Sequence, residues 1–466
     1  MGPERSSFHF RYTPSARAVA EPLRARYKRR HHMMGVDYTV SRANRYAFPL
    51  GLAASALVLR LFFVLVIEPS PNLSGGDANW YMRTGYDLVT TGVTDGPMQP
   101  PPLYPILLGV LQVAVPGSPA PNTYYTHAEL QTARVLQSLL GAALCVVVYL
   151  LGRRLFGERV GRLAGGVLAV SPALIVDVGQ IASENLMLPL FFGGLALYAY
   201  ALERPTARRM AAVGALLGLA TLTRAAVLAF PLLLVAHLFL QARAHWRRLA
   251  LALLLSYGAL VSTWTVYNVV VWDRVVVGGE GILAFLYQGT RGQLSPEELD
   301  GELGVSREND REDRAQKLKE RVEATVLGDP LGWATYRAKD LAKAYAQPHN
   351  TVHFGGPSVR RAVWDWLRTD RSLDGLRRLT GAPSFWPKFV LYVFHYAGLG
   401  LGLLGMFQER RRWRALLPLY GVVFYFTAMH FVLLALPRYL FPTYPAYWLF
   451  AAAWLVARGV YSSSAT

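Results

Sequence analysis

Recurring apolar runs, most of them roughly 16 to 23 residues long, constrain this chain more than any other feature of its sequence. A run of that length can cross about 30 Å of hydrocarbon as an α-helix. Hydrophobic residues make up 53% of the chain and charged residues only 17%, which also departs from the composition of soluble domains. We therefore predict an all-α protein with ten membrane spans, near residues 47–67, 130–151, 163–180, 185–202, 210–222, 225–241, 249–271, 387–407, 415–435 and 440–457.

The net charge of +18 is concentrated on alternate connections between these spans. Six segments hold 25 of the 48 Lys and Arg and 6 of the 30 Asp and Glu: residues 1–46, 152–162, 203–209, 242–248, 408–414 and 458–466. Basic residues accumulate on the cytoplasmic side of membrane proteins, so both termini are predicted to be cytoplasmic in a multi-pass protein of the cell membrane. This distribution accounts for the positive charge without nucleic-acid binding.

Four regions follow from this orientation. Residues 1–46 form a basic cytoplasmic tail, and residues 47–271 form a membrane module whose first outer loop covers residues 68–129. Residues 272–386 form an extracytoplasmic region with helical insertions, and residues 387–466 contain the last spans and a short tail. Helical spacing of apolar residues further predicts interfacial helices at 78–91 and 101–115, and a membrane-surface helix at 333–348.

Two carboxylates lie at the outer rim of the predicted bundle. Asp77 follows the first span in the stretch GGDANWY, and Glu184 begins the fourth span. A carboxylate at a helix N-terminus can simply stabilise that helix, so Glu184 also has a purely structural interpretation. Asp177, at the end of the third span, is a second candidate for the same role. Ionisable groups at such positions are costly and favour a functional site.

Three arginines complete the candidate set. Arg224 lies in the turn between the fifth and sixth spans, and Arg438 opens the last span. Their guanidinium groups suit phosphate oxygens, although pairing with lipid headgroups is the simpler alternative. Arg60 lies about 10 Å inside the first span at 1.5 Å per residue, and it is expected to pair with a carboxylate or with a bound anion.

Together these residues are suited to group transfer from a lipid phosphate on the outer face. A carboxylate can accept a proton from an acceptor hydroxyl, and cations stabilise the charge on a departing phosphate. A lipid or solute transporter is the alternative, because transporters also bury ionisable groups among their spans. The candidate charges lie at one rim and no internal repeat is visible, which favours an enzyme.

No metal site is predicted with certainty from the sequence. His349 and His353, in HNTVHF, have a spacing compatible with zinc but lack further ligands, so an ordinary loop is favoured. A divalent cation that bridges the donor phosphate and Asp77 or Glu184 stays open. No other cofactor is indicated.

The order of several segments resembles the bacterial C-type glycosyltransferases related to dolichyl-phosphate-mannose protein mannosyltransferases and the aminoarabinose lipid A transferase, a family 39-like group. The matching segments are ALVLRLFFVLV, GGDANWYMRTGYDLVTTG, PPLYPILLGVLQ, SPALIVDVGQIASENLMLPLFF, ALLGLATLTRAAV and RYLFPTYPAYWLFAA. They are part of a resemblance that covers roughly residues 50–455.

This resemblance implies a membrane transferase that uses a polyprenyl-phosphate sugar as donor and a glycan, lipid or protein as acceptor. Asp77 falls on the family's first-loop catalytic acid, and Glu184 on its second acidic position. Arg438 and Tyr439 fall on an arginine–tyrosine pair that contacts the lipid phosphate. Single displacement on such a donor is expected to invert the anomeric carbon.

Overall fold

A computed structural model describes residues 42–70, 77–94, 101–115, 117, 124–241, 245–278, 281–304 and 311–459. Most of the predicted basic tail and the glycines before Asp77 lie outside these residues. The chain divides into two units, Met1–Leu50 and Gly51–Thr466. In the first unit, the structure describes residues 42–50, which form the beginning of helix α1. All candidate site residues lie in the second unit.

Within the described ranges, every regular element is a helix, which confirms the predicted fold class. The helices are α1 Arg42–Phe62, α2 Ala78–Thr90, α3 Leu103–Ala114, α4 His127–Phe156, α5 Glu158–Val170, α6 Pro172–Asp177, α7 Glu184–Ala201, α8 Ala207–Thr223, α9 Phe230–Gln241, α10 Trp246–Trp272, α11 Ile282–Arg291, α12 Pro296–Leu303, α13 Arg311–Gly328, α14 Pro330–Ala346, α15 Val359–Thr369, α16 Leu373–Thr380, α17 Phe385–Glu409, α18 Trp413–Val432, α19 Pro437–Leu440 and α20 Tyr444–Ala457.

The helices long and apolar enough to cross a membrane agree with six of the ten predicted spans. They lie in five stretches of the described chain, Tyr46–Ile67, His127–Phe156, Trp246–Trp272, Phe385–Val432 and Pro437–Ala457. The fourth stretch contains two helices, α17 and α18, separated by the turn Arg410–Arg412. The other four predicted spans coincide with the shorter helices α5 with α6, α7, α8 and α9.

The third predicted span is not one helix. The helix is interrupted at Ser171, and Pro172 then starts the short helix α6. Proline has no backbone N–H and fits the first turn of a helix, so it separates the two elements. The break leaves the last carbonyl groups of α5 without partners inside their own helix.

The segment between the first two predicted spans contains the two predicted helices, α2 and α3. Their backbones are in contact at two glycines, where no side chain would fit. A methyl group placed on Gly85 would lie 2.1 Å from the carbonyl oxygen of Pro105. On Gly109 it would lie 2.0 Å from the carbonyl oxygen of Gly85. This close contact holds the N-terminal end of α2, and with it Asp77, in a defined position.

The insertion between α10 and α17 is helical, as predicted. Leu299, Leu303 and Leu318 pack with Tyr287 in a small core of their own. Helix α14 coincides with the predicted surface helix, and its Arg337 is fully buried. The Arg337 guanidinium donates hydrogen bonds to the backbone of α18, at 2.9 Å to the carbonyls of both His430 and Phe431. The contact of α14 with a membrane stays a prediction.

Candidate active site

Four charged side chains from distant parts of the sequence meet in one cluster. The Asp77 Oδ2 atom lies 2.8 Å from Nη2 of Arg438, although 361 residues separate the two along the chain. The Glu184 Oε1 atom lies 2.7 Å from Nη1 of Arg224 and 3.6 Å from Nε of Arg438. Arg438 therefore bridges the two carboxylates. We call Asp77, Glu184, Arg224 and Arg438 the acid–arginine cluster.

Each member of the cluster lies where a helix begins or ends. Asp77 immediately precedes α2 and makes no capping hydrogen bond through its side chain, so its carboxylate is available to Arg438. Glu184 is the first residue of α7. Arg224 ends α8 in an extended conformation, with φ −154° and ψ 119°. Arg438 follows Pro437, which starts the four-residue helix α19.

Exposure differs strongly across the cluster. The Glu184 side chain is 2% exposed and that of Arg224 is 15% exposed, whereas Arg438 and Asp77 are 38% and 50% exposed. A buried carboxylate is tolerated only when it is paired, and Glu184 has two guanidinium groups within salt-bridge distance. The cluster thus has a buried anchor in Glu184 and an accessible half in Asp77 and Arg438.

Tyr439 lies against both arginines of the cluster. The guanidinium carbons of Arg224 and Arg438 are 5.2 Å and 5.4 Å from the centroid of its ring. The ring also stacks on His430, with centroids 5.2 Å apart and planes at 21°. Tyr439 was expected to contact a phosphate, and in the structure its ring supports the two groups expected to bind it.

Two neighbours of the cluster were not predicted as site residues. The hydroxyl of Ser183 accepts a hydrogen bond from Nη1 of Arg224 at 3.1 Å, and the hydroxyl of Tyr81 donates to Ser183 at 3.4 Å. Burial raises the pKa of Tyr81 to about 12, so Tyr81 stays a neutral donor at physiological pH. Their positions next to Glu184 and Asp77 were visible in the sequence, but such residues usually serve as helix caps or interfacial anchors.

The structure does not bring Arg60 into the cluster. Its guanidinium is fully buried and donates to the carbonyl groups of Leu168 and Ala169 at 3.2 Å, and to that of Ala56 at 2.9 Å. Leu168 and Ala169 belong to the last turn of α5, whose carbonyls lack their usual helical partners because the helix ends at Val170; the Leu168 carbonyl also accepts a 3.4 Å bond from the Ser171 N–H. Arg60 therefore satisfies a helix C-terminus, where a positive charge is also favoured by the helix dipole.

Asp177 also lies outside the cluster. Its Oδ1 atom is 2.8 Å from Nε2 of His349 and 3.3 Å from Nδ2 of Asn350. His353 pairs with a different carboxylate, with its Nε2 atom 3.1 Å from Oε2 of Glu68. Among the residues that the structure describes, no three His, Cys, Asp or Glu side chains group as metal ligands. The two histidines thus fasten their loop to two separate acids.

The helical architecture defines a polytopic membrane protein whose fold is similar to that of the C-type glycosyltransferases. Residues 123–272 match the family model described as dolichyl-phosphate-mannose-protein mannosyltransferase. No curated protein matches the chain.

Solved structures of an archaeal oligosaccharyltransferase share the fold. The oligosaccharyltransferase AglB from Archaeoglobus fulgidus, in complex with an inhibitory peptide and a dolichol-phosphate, aligns with a TM-score of 0.52 at 14% identity over 90% of this chain and 51% of AglB. An oligosaccharyltransferase from Archaeoglobus fulgidus, tethered to an acceptor peptide, aligns with a TM-score of 0.51 at 13% identity, over 88% of this chain and 49% of that chain. ArnT from Cupriavidus metallidurans bound to undecaprenyl phosphate aligns with a TM-score of 0.37 at 16% identity, over 90% and 79%. The chain spans about half the length of AglB.

Proposed function

We propose that this protein is a membrane glycosyltransferase that moves a sugar from a polyprenyl-phosphate-linked donor to an acceptor on the extracytoplasmic face. One observation carries the proposal: Arg438 joins Asp77 and Glu184, so two acids and two arginines form a single site that is open on the side of Asp77. A C-type glycosyltransferase fold around this cluster supports sugar transfer as the reaction. The dolichol-phosphate in the AglB complex supports a lipid phosphate as part of the donor.

Arg438 and Arg224 bind the donor phosphate in this proposal. Arg438 is the more exposed of the two, and its guanidinium can present two N–H groups to phosphate oxygens. Tyr439 keeps both guanidinium groups in place through cation–π contacts. Arg60 is not part of this assignment, because its guanidinium donates to backbone carbonyls elsewhere.

The reaction is a single displacement at the anomeric carbon of the sugar. Asp77 takes the proton of the acceptor hydroxyl while the acceptor oxygen bonds to that carbon. The bond from the anomeric carbon to the phosphate oxygen breaks, and its electron pair stays on the phosphate, where the arginines stabilise the added charge. Attack from the opposite side inverts the anomeric carbon. Glu184 acts by holding Arg224 and Arg438 in position.

The described residues do not fit a divalent cation at this site. Arg438 already lies between Asp77 and Glu184, and a guanidinium in that place repels a metal ion. The proposed mechanism therefore uses the arginines alone for charge stabilisation. We expect transfer in the presence of a chelator to match transfer without it, and a loss of activity that added Mg²⁺ or Mn²⁺ restores would contradict this assignment.

The test of the proposed function is Asp77→Asn in purified protein, assayed with radiolabelled polyprenyl-phosphate sugars. Loss of the general base should lower the rate of transfer by about 10²- to 10⁴-fold, with binding of the lipid phosphate retained. Asp87→Asn is the matched control, because Asp87 lies on helix α2, which Asp77 precedes, and its Oδ2 atom is 3.9 Å from Nε of Arg83. Full transfer by the Asp77→Asn variant would overturn the assignment, and movement of the lipid across the membrane without sugar transfer would favour a transporter.

A further inference from the structure

Helices α15 and α16 carry an excess of positive charge that neither the fold nor the proposed site uses. Residues 359–380 contain six arginines and three aspartates, with no lysine or glutamate. Two of the aspartates are engaged within the segment, because Asp370 pairs with Arg378 at 2.7 Å and Asp374 with Arg377 at 3.5 Å. The other four arginines have no carboxylate within salt-bridge distance in the described part of the chain: Arg360, Arg361, Arg368 and Arg371.

Large apolar side chains are exposed among these arginines. Trp364 is 54% exposed and Leu373 is 74% exposed, and Leu367 lies one turn beyond Trp364 on the same face of α15. The guanidinium carbon of Arg368 lies 4.6 Å from the ring centroid of Trp364. A soluble surface seldom exposes tryptophan and leucine side by side, so this face is expected to be covered by something apolar.

The two helices are fixed to the end of a membrane-length helix. Helix α17 begins at Phe385, five residues after α16 ends, and it carries exposed aromatic rings at Trp386 and Phe389. The buried Lys388 of α17 donates hydrogen bonds to the carbonyls of Gly356 and Pro357, directly before α15. The exposed face therefore lies close to the depth at which α17 enters the lipid headgroups.

From these observations we infer that α15 and α16 form a docking surface for anionic phospholipids. Trp364, Leu367 and Leu373 enter the outer part of the acyl region, and the unpaired arginines bind the headgroup phosphates around them. Positive charge without internal partners is complementary to an anionic leaflet and not to a zwitterionic one. The surface is separate from the acid–arginine cluster, so the inference does not depend on the proposed function.

Site-directed spin labelling tests the depth of this surface. Trp364→Cys is labelled with a nitroxide in the full-length protein, in nanodiscs that contain phosphatidylglycerol and phosphatidylcholine. Asp365→Cys is the control, because Asp365 is exposed on the same helix but is not one of the side chains proposed to enter the acyl region. The unaltered protein gives the background, since its only cysteine, Cys145, is buried.

The label at position 364 should be more accessible to oxygen than to a water-soluble nickel chelate, and the label at position 365 should show the opposite order. Greater access of the nickel chelate at position 364 would overturn the inference. Protection of that position from both reagents would also overturn it, because it would indicate coverage by protein.

Lipid analysis tests the choice of headgroup. In mixed nanodiscs, the protein should enrich phosphatidylglycerol over phosphatidylcholine, and Arg360→Gln/Arg361→Gln/Arg368→Gln should reduce this enrichment by about fivefold or more. The control removes three positive charges from helix α13 in the same insertion: Lys317→Gln/Lys319→Gln/Arg321→Gln. An equal loss of phosphatidylglycerol enrichment in both triple variants would contradict a specific lipid-binding surface on α15 and α16, because net charge alone would then explain the enrichment.

Discussion

The buried carboxylate of Glu184 makes a prediction at the scale of single residues. Removal of one partner from a buried ion pair leaves an uncompensated charge, which costs about 3–5 kcal/mol. Glu184→Gln should therefore lower the melting temperature in detergent much more than Glu203→Gln, whose carboxylate pairs with Arg154 but is 46% exposed. A double-mutant cycle with Arg224→Gln should give a coupling of about 1–3 kcal/mol. Equal melting temperatures for both single variants would argue against a buried pair.

Substitution of Arg438 by lysine tests whether binding of the donor needs the planar guanidinium group or only a positive charge. Lysine retains the positive charge, but its ammonium group lacks the planar guanidinium with which Arg438 contacts Asp77 and Glu184 at the same time. Arg438→Lys should weaken binding of the lipid phosphate by about 10- to 100-fold, the loss expected for a charged hydrogen bond. Arg412→Lys is the control, since Arg412 pairs with Glu409 at 2.8 Å away from the site. Unchanged affinity of Arg438→Lys would show that any cation suffices.

Arg60 illustrates what sequence reasoning can and cannot settle at this scale. The cost of an ionisable residue inside a span indicated that Arg60 needs a partner, which we expected to be a carboxylate or a bound anion, whereas the structure gives it backbone carbonyls. Their identity depends on the break at Ser171, which frees the carbonyls of Leu168 and Ala169. No property of residues near position 60 encodes that break. By contrast, the four residues of the acid–arginine cluster could be grouped from the sequence, because all of them lie on the predicted outer side of the spans.

At the scale of elements, the end of α5 should depend on Arg60. Arg60→Gln leaves buried carbonyls with too few donors, and each unsatisfied group costs about 1–3 kcal/mol. The variant should therefore melt at a lower temperature while its dissociation constant for lipid phosphate stays unchanged. A weaker affinity without a loss of stability would instead place Arg60 among the phosphate ligands.

The crossing of α2 and α3 leads to a second prediction about elements. Gly85→Ala would place a methyl group against the backbone of Pro105, so the helices must separate and displace Asp77. We expect lower thermal stability and slower transfer. Gly166→Ala in α5 is the control, because nothing lies within 4 Å of its added methyl group. That control should be neutral or more stable by about 0.5–1 kcal/mol. A stable and active Gly85→Ala variant would contradict the close packing.

Helix positions were predictable from the sequence to a greater extent than helix continuity. Apolar runs located α4, α10, α17, α18 and α20 because their length matches the thickness of a bilayer. The run at 163–180 is equally apolar, yet it forms α5 and α6. Hydropathy reports the surroundings of a segment and not its backbone path, so only Pro172 could have indicated the break.

At the scale of the whole molecule, the predicted orientation can be tested by labelling of introduced cysteines. Lys319→Cys, in α13, should react with an impermeant maleimide in intact cells. Arg208→Cys, near the start of α8, should react only after the membrane is opened. Cys145 is buried and should contribute little background. The reverse pattern would place the acid–arginine cluster in the cytoplasm and exclude the proposed site of transfer.

The bridge formed by Arg438 also has a consequence for the order of events during turnover. In the proposed mechanism, the ion pair with Arg438 occupies Oδ2 of Asp77 and keeps this oxygen from the acceptor hydroxyl. An incoming lipid phosphate competes for the same guanidinium and would release Asp77. Catalytic competence would then arise only after the donor has arrived, so an acceptor that binds first would not lose its proton before the sugar is in place.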